Sequence, residues 1–147
     1  MARVTVREIA PGETALAART LLELRPGLGS AEALVRQVDE RQRATGYRLA
    51  GVFTDGDEEA AAVAGFRINE FLAWGKHLYV DDLVTAAAHR GKGHADRLFA
   101  WLEEEARQAG CTQFHLDSGL MEERQDAHRF YFRHGLRIAA FHFQREL

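Results

Sequence analysis

The stretch that most constrains this chain is Tyr79–Ala95, YVDDLVTAAAHRGKGHA. An apolar, strand-like run leads into a basic loop spaced by glycines, and the loop opens directly into a helical pattern. Such a loop points several backbone N–H groups at one spot, and the helix N-terminus adds partial positive charge, so a phosphate can bind there. Arg90 and Lys92 add full charges, while Gly91 and Gly93 let the main chain approach a ligand with no Cβ in the way. The segment therefore reads as a pyrophosphate cradle. A dinucleotide-binding fold uses a similar loop, but Asp96 stands where the third glycine of G-x-G-x-x-G would be. The 147 residues are also too few for two βαβαβ halves.

The rest of the chain places this unit in a mixed fold. Arg3–Ile9 alternates as a strand, and Thr14–Leu24 carries helical spacing closed by Pro26 and Gly27. Ser30 is an N-cap for a second helix reaching about Arg43. Tyr47–Phe53 and Ala60–Ile68 read as strands joined through Asp55-Gly56, and His77–Thr85 as the strand feeding the glycine loop. A helix follows from Gly93 to Ala109, with Leu98, Trp101, Leu102 and Ala106 as its buried stripe and Gly110 at C′. Gln113–Asp117 is a short strand, Gln125–His134 a helix closed by Gly135, and Leu136–Phe143 the last strand material. The order β-α-α-β-β-β-α-β-α-β, without repeats or a long linker, predicts one α+β or α/β domain over residues 1–147.

Charge and composition narrow the partners. A net charge of −3 does not fit a general nucleic-acid binder, and a basic loop on such a chain suits a small anion. Cys111 is the single cysteine, so no internal disulfide is expected. It lies about 25 Å from the start of the preceding helix at 1.5 Å per residue and is not expected to act as a nucleophile. The N-terminal MARVTVREIA lacks the apolar run of a signal peptide, and no window approaches the roughly 18 apolar residues of a membrane span. The expected location is cytoplasmic, with no membrane partner. The seven histidines show no metal-ligand spacing, so no metal is expected.

With strand, loop and helix in place, Arg90-Gly91-Lys92-Gly93-His94-Ala95 resembles the Arg/Gln-x-x-Gly-x-Gly/Ala motif of the GCN5-related N-acetyltransferases. A second match is Ala127-His128-Arg129-Phe130-Tyr131-Phe132-Arg133-His134-Gly135-Leu136, similar to that family's Ala-x-x-Phe-Tyr-x-x-x-Gly-Phe. A third, Asp81-Asp82, resembles the Glu-Asp pair of spermidine/spermine-type acetyltransferases at the same distance before the loop arginine. The chain departs from the family at Thr85 and Ala87, where many relatives have valine and proline.

The resemblance implies a single domain with a central, mostly antiparallel twisted sheet of about six to seven strands and four flanking helices. It implies acetyl-CoA as co-substrate, with the main chain of Leu83, Val84 and Thr85 along the pantetheine arm and Arg90, Gly91, Lys92, Gly93, His94 and Ala95 at the pyrophosphate. Tyr131 would protonate the departing thiolate, Asp81 would act as general base through water, and Asp82 would anchor the amine or serve structure. Because neighbours on a strand face opposite sides, Asp81 and Asp82 are not expected to share a role. The bland readings stay open: an aromatic run is often core, an acidic pair often a solvated strand end, and His94 touches phosphate or only solvent. The implied activity is acetyl transfer to a primary amine of a small molecule or peptide in a ternary complex, with Asp81, Asp82 and Glu70 drawing in the cation. A homodimer is common in the family. The rivals are a non-catalytic acyl-CoA sensor and a toxin-like enzyme acetylating charged tRNA.

Overall fold

The computed structural model describes residues 3–147. The chain divides into two compact units, Met1–His115 and Leu116–Leu147.

The first unit is built on a sheet with strand order β1-β2-β3-β4-β5. β1 (Val4–Ile9), β2 (Arg48–Thr54), β3 (Ala62–Phe71) and β4 (Gly75–Thr85) pair in succession, each antiparallel to the last. The short β5 (Gln113–Leu116) lies beside β4. α1 (Ala15–Leu24) and α2 (Ala31–Gln37) fill the connection from β1 to β2, and α3 (His94–Gln108) the one from β4 to β5.

The middle of the sheet is apolar, with Leu49, Ala50 and Val52 of β2 and Ala62–Phe66 of β3 buried, because both faces are covered there. Leu49 and Val63 join the cluster made with Ala17, Leu21 and Leu34 of α1 and α2. Their neighbours turn the other way: Arg48 reaches Glu105 of α3 at 2.6 Å, and the Phe66 ring meets Trp101 edge-on at 5.9 Å. α3 buries His94, Leu98, Phe99, Leu102 and Ala106, so Phe99 takes a core place that the expected stripe gave to Trp101, which is half-buried.

The α1–α2 connection is fixed by polar contacts. Ser30 caps α2 as expected, its Oγ accepting from the Ala33 N–H at 3.1 Å. α2 then widens into a π-helical turn, Val38–Gln42, a form that tends to mark functional positions. Thr14, 1% exposed, donates to Asp39 Oδ1 at 2.6 Å, and Arg43 donates to Thr14 Oγ1 and to the Ile9 carbonyl. These bonds tie the start of α1 to the widened turn.

The second unit holds α4 (Gln125–Arg133), entered through a 3-10 turn at Glu122–Arg124 and closed by Gly135 at φ 82°. His128 Nε2 sits 2.8 Å from the Gly119 carbonyl and 3.0 Å from Ser118 Oγ, bracing the segment before the helix. The sheet has five strands rather than six to seven, since Leu136–Phe143 forms none. Its Ile138, Phe141 and Phe143 are residue types that favour a strand, but a strand also needs a partner edge to bond to, and residue type does not encode one. Among the described residues no helix is long and apolar enough to cross a membrane.

Candidate active site

β4 carries the first departure from simple strand geometry. Gly65 of β3 pairs with Asp82, but the next residue, Phe66, pairs with Val80, which leaves Asp81 as the extra residue of a bulge. The bulge breaks the alternation that would separate the two carboxylates. Contrary to expectation, Asp81 and Asp82 line the same cleft, of about 600 Å³, with Arg25, Gln42, Tyr47 and Tyr79. Leu21, Leu28, Leu34 and Val38 give that cleft an apolar wall.

Both carboxylates are already engaged. Asp82 receives Arg25 Nε at 2.8 Å on Oδ1 and the Tyr47 hydroxyl at 2.7 Å on Oδ2. Asp81 receives Arg67 Nε at 2.8 Å, and Arg67 is itself held by the Thr45 carbonyl at 2.9 Å. Burial pushes the Asp81 carboxyl above its ordinary range; the Arg67 guanidinium opposes this and the neighbouring Asp82 adds to it. Tyr47 is 4% exposed, and burial, reinforced by the Asp82 carboxylate, drives its hydroxyl far above the usual tyrosine range. It stays a proton donor to Asp82. Its ring lies against Gly65, where any Cβ would collide with the ring and the hydroxyl, so a glycine is required for that pose.

Sequence reading missed Arg25, Gln42, Tyr47 and Arg67. Arg25 and Asp82 are 57 residues apart, so no local spacing could pair them. The expected cationic attraction of Asp81, Asp82 and Glu70 is also revised: Arg25 and Arg67 balance the pair, and Glu70 is exposed and does not line the cleft.

Beyond the bulge, Leu83, Val84 and Thr85 are half-buried and pair on one edge with Ala64, Val63 and Ala62. β5 approaches the opposite end of β4, where the Thr112 N–H donates to the Lys76 carbonyl at 2.9 Å. After Thr85 the chain makes one 3-10 turn, Ala87–His89, and enters the loop. Gly91 and Gly93 both adopt φ 77°, which L side chains rarely reach, and Gly93 is the N-cap of α3. Arg90, Gly91, Lys92 and Gly93 are exposed. His94 is not: its ring is 4% exposed and turns into a second pocket, away from solvent.

In the second unit, Tyr131 lies on α4, one turn after Ala127, and is half-buried. Burial raises its hydroxyl above the usual range, and the Arg124 guanidinium, hydrogen-bonded to it, works the other way. Burial likewise pushes the Cys111 thiol up, which suits its reading as a non-nucleophile. No group of three or more metal-ligating side chains occurs among the described residues.

Comparison with known proteins places this geometry. Residues 19–136 match the profile of the acetyltransferase (GNAT) family. The chain is 41% identical over 68 residues to the aminoalkylphosphonate N-acetyltransferase of Salmonella typhimurium, covering 46% of this chain and 43% of that protein. It is 47% identical over 57 residues to the uncharacterized N-acetyltransferase YhdJ of Bacillus subtilis, covering 39% of each. The matched part thus spans less than half the length of these curated relatives. Among solved structures, the aminoglycoside N-acetyltransferase AAC(6')-Iy in complex with CoA superposes with a TM-score of 0.81 at 16% identity, over 99% of this chain and 96% of that one. A transcriptional regulator from Bacillus halodurans gives 0.81 at 22% identity, over 99% of this chain and 100% of that one. At these identities the structures establish the fold alone.

Proposed function

Because the chain belongs to the GNAT acetyltransferase family, we propose that it moves an acetyl group from acetyl-CoA to the primary amine of a small molecule by direct transfer. The observation that carries the reading is one strand with two functional ends. β4 is bulged at Asp81, beside a cleft, and runs on into a loop whose two glycines present the main chain at the start of α3.

Acetyl-CoA supplies the activated thioester. Arg90, Gly91, Lys92, Gly93, His94 and Ala95 hold its pyrophosphate, chiefly through backbone N–H groups and the two exposed cations, and the fit is good because neither glycine has a Cβ to block the approach. Leu83, Val84 and Thr85 offer main-chain groups to the pantetheine arm. An alkylammonium acceptor titrates near 10.4, so a base must help remove its proton at neutral pH. Asp81 takes that role through water, helped by the burial that lifts its carboxyl. Asp82 is a positioning residue, fixing Tyr47 and Arg25 along the cleft wall. Tyr131 donates a proton to the departing thiolate, and the burial that raises its hydroxyl keeps that proton in place until sulfur needs it.

The acceptor follows from the charge balance. A polyamine would seek free carboxylates, but Asp81 and Asp82 are each matched by an arginine. An amine that also bears an anionic group suits Arg25, whose side chain is 51% exposed, together with the apolar wall. An aminoalkylphosphonate, the class named for the Salmonella relative, has that character. The proposal takes residues 1–147 as one acetyltransferase domain with a cytoplasmic place, no nucleic-acid or membrane partner, and a homodimer as its assembly. Thiol release from acetyl-CoA tests it across a panel of amines: an aminoalkylphosphonate, a diamine, an aminoglycoside and a peptide. Release should be amine-dependent and fastest with the aminoalkylphosphonate. Acetyl-CoA binding with no release for any amine would overturn it.

A further inference from the structure

Gln42 ends the π-helical turn Val38–Gln42 and lines the acceptor cleft with Tyr47, Asp81 and Asp82. Its side-chain Oε1 is buried and has no hydrogen-bond partner among the described residues. Buried polar atoms nearly always find partners, and an unmade bond of this kind weakens a fold. The main chain that carries it is well held. The Gln42 carbonyl accepts the Tyr47 N–H and the Thr45 hydroxyl, each at 3.1 Å, and the Tyr47 hydroxyl donates to Asp82 at 2.7 Å. The orphaned oxygen thus stands on a braced backbone that is tied, through Tyr47, to the acidic pair. The charged groups nearby are already matched, Asp82 with Arg25 and Asp81 with Arg67, each at 2.8 Å.

We propose that Gln42 Oε1 accepts a hydrogen bond from the acceptor's amine nitrogen and selects primary over secondary amines, an inference that rests on the acetyl transfer proposed above. A neutral carbonyl suits this task better than a third carboxylate. A carboxylate favours the ammonium form and holds back the proton that must leave, whereas an amide oxygen accepts from ammonium and neutral amine alike. Of the three hydrogens on a primary ammonium, one leaves through the water held by Asp81 before attack. A second leaves as the C–N bond forms and the C–S bond breaks, balanced by the proton that Tyr131 gives to sulfur. The third stays on the product amide, so its bond to Gln42 survives the whole reaction. A secondary amine has no third hydrogen, and its bond to Gln42 is lost as the transfer proceeds.

The probes are aminoethylphosphonate and butylamine, each with its N-methyl derivative, so the test does not depend on an anionic group. With CoA bound in place of acetyl-CoA no turnover occurs, and either primary amine should shift the Gln42 side-chain amide resonance saturably. Gln42→Met should weaken that binding about tenfold or more, with CoA affinity and the far-UV spectrum unchanged. Its denaturant midpoint should be no lower than wild type, because the variant removes an unsatisfied buried oxygen; a Gln42 that served structure alone would give a lower one. In turnover, the preference for primary over N-methyl amine should shrink about tenfold in Gln42→Met. Gln42→Glu should move the pH dependence of kcat upward, since an added carboxylate stabilises the ammonium form. Amine binding that depends on Gln42 without any thiol release would uphold the contact and overturn acetyl transfer. No saturable shift at Gln42, or an equal preference in wild type and Gln42→Met, would overturn the proposal.

Discussion

The two units of the chain are held by different means. In the first, Ile9, Leu34, Leu49, Val63, Phe66, Leu78, Leu98, Phe99 and Leu102 are all fully buried. In the second, no residue is buried, and Leu120, Met121, Phe132, Ile138, Phe141 and Phe143 are exposed. The first unit gains its order from apolar area removed from water. The second rests on a single nine-residue helix and local hydrogen bonds, and short helices of that kind are marginal without packing. Under the proposed function, residues of the first unit bind the cofactor and the acceptor, and Tyr131 of the second supplies the proton.

Core truncation should separate the units most sharply. Phe66→Ala should cost about 3–5 kcal/mol in denaturant unfolding, whereas Phe143→Ala should stay within about 0.5 kcal/mol. Equal losses would mean that the tail is packed after all.

A Cβ at residue 65 has nowhere to go but into Tyr47. Gly65→Ala should therefore destabilise the first unit by about 1–3 kcal/mol and lower amine turnover, as Tyr47 is forced from Asp82. A change in acetyl-CoA affinity instead would contradict the role given to Tyr47.

Asp81 sharpens the same division. Since its carboxyl is raised and the base must be ionised, the acid limb of kcat/KM should lie above the ordinary carboxylate value of about 3.9. Asp81→Asn should lower turnover about 100-fold and abolish that limb. A retained limb would assign the base elsewhere.

The smallest expected effect comes from His94. Its folded-state pKa is depressed, so the unfolded chain binds more protons around pH 6, and stability should rise with pH up to about 6.5 and fall on acidification below it. His94→Leu should flatten that part of the stability profile. An unchanged slope would show that another group sets it.

What the sequence made legible is what short-range pattern encodes. Ser30 capping α2, the glycine loop opening α3 and the order of the first nine elements all follow from residue type and period. What escaped it is non-local. The bulge at Asp81 depends on the register between β3 and β4, so Asp81 and Asp82 could not be seen to share a cleft from one strand alone. Arg25 and Tyr47 reach that cleft from α1's end and the start of β2, and Arg67 of β3 bonds Asp81, a convergence set by tertiary packing. Leu136–Phe143 shows the reverse failure, a run read as strand material that forms no strand.

The central claim is that the second unit contributes chemistry and not merely bulk, and Tyr131→Phe tests it most directly. Acetyl-CoA binding and amine-dependent thiol release should be measured side by side on the variant and the wild type. The account predicts binding within about twofold of wild type and turnover lower by about 100-fold or more, the scale of a lost general acid. Turnover at the wild-type rate in Tyr131→Phe would contradict it.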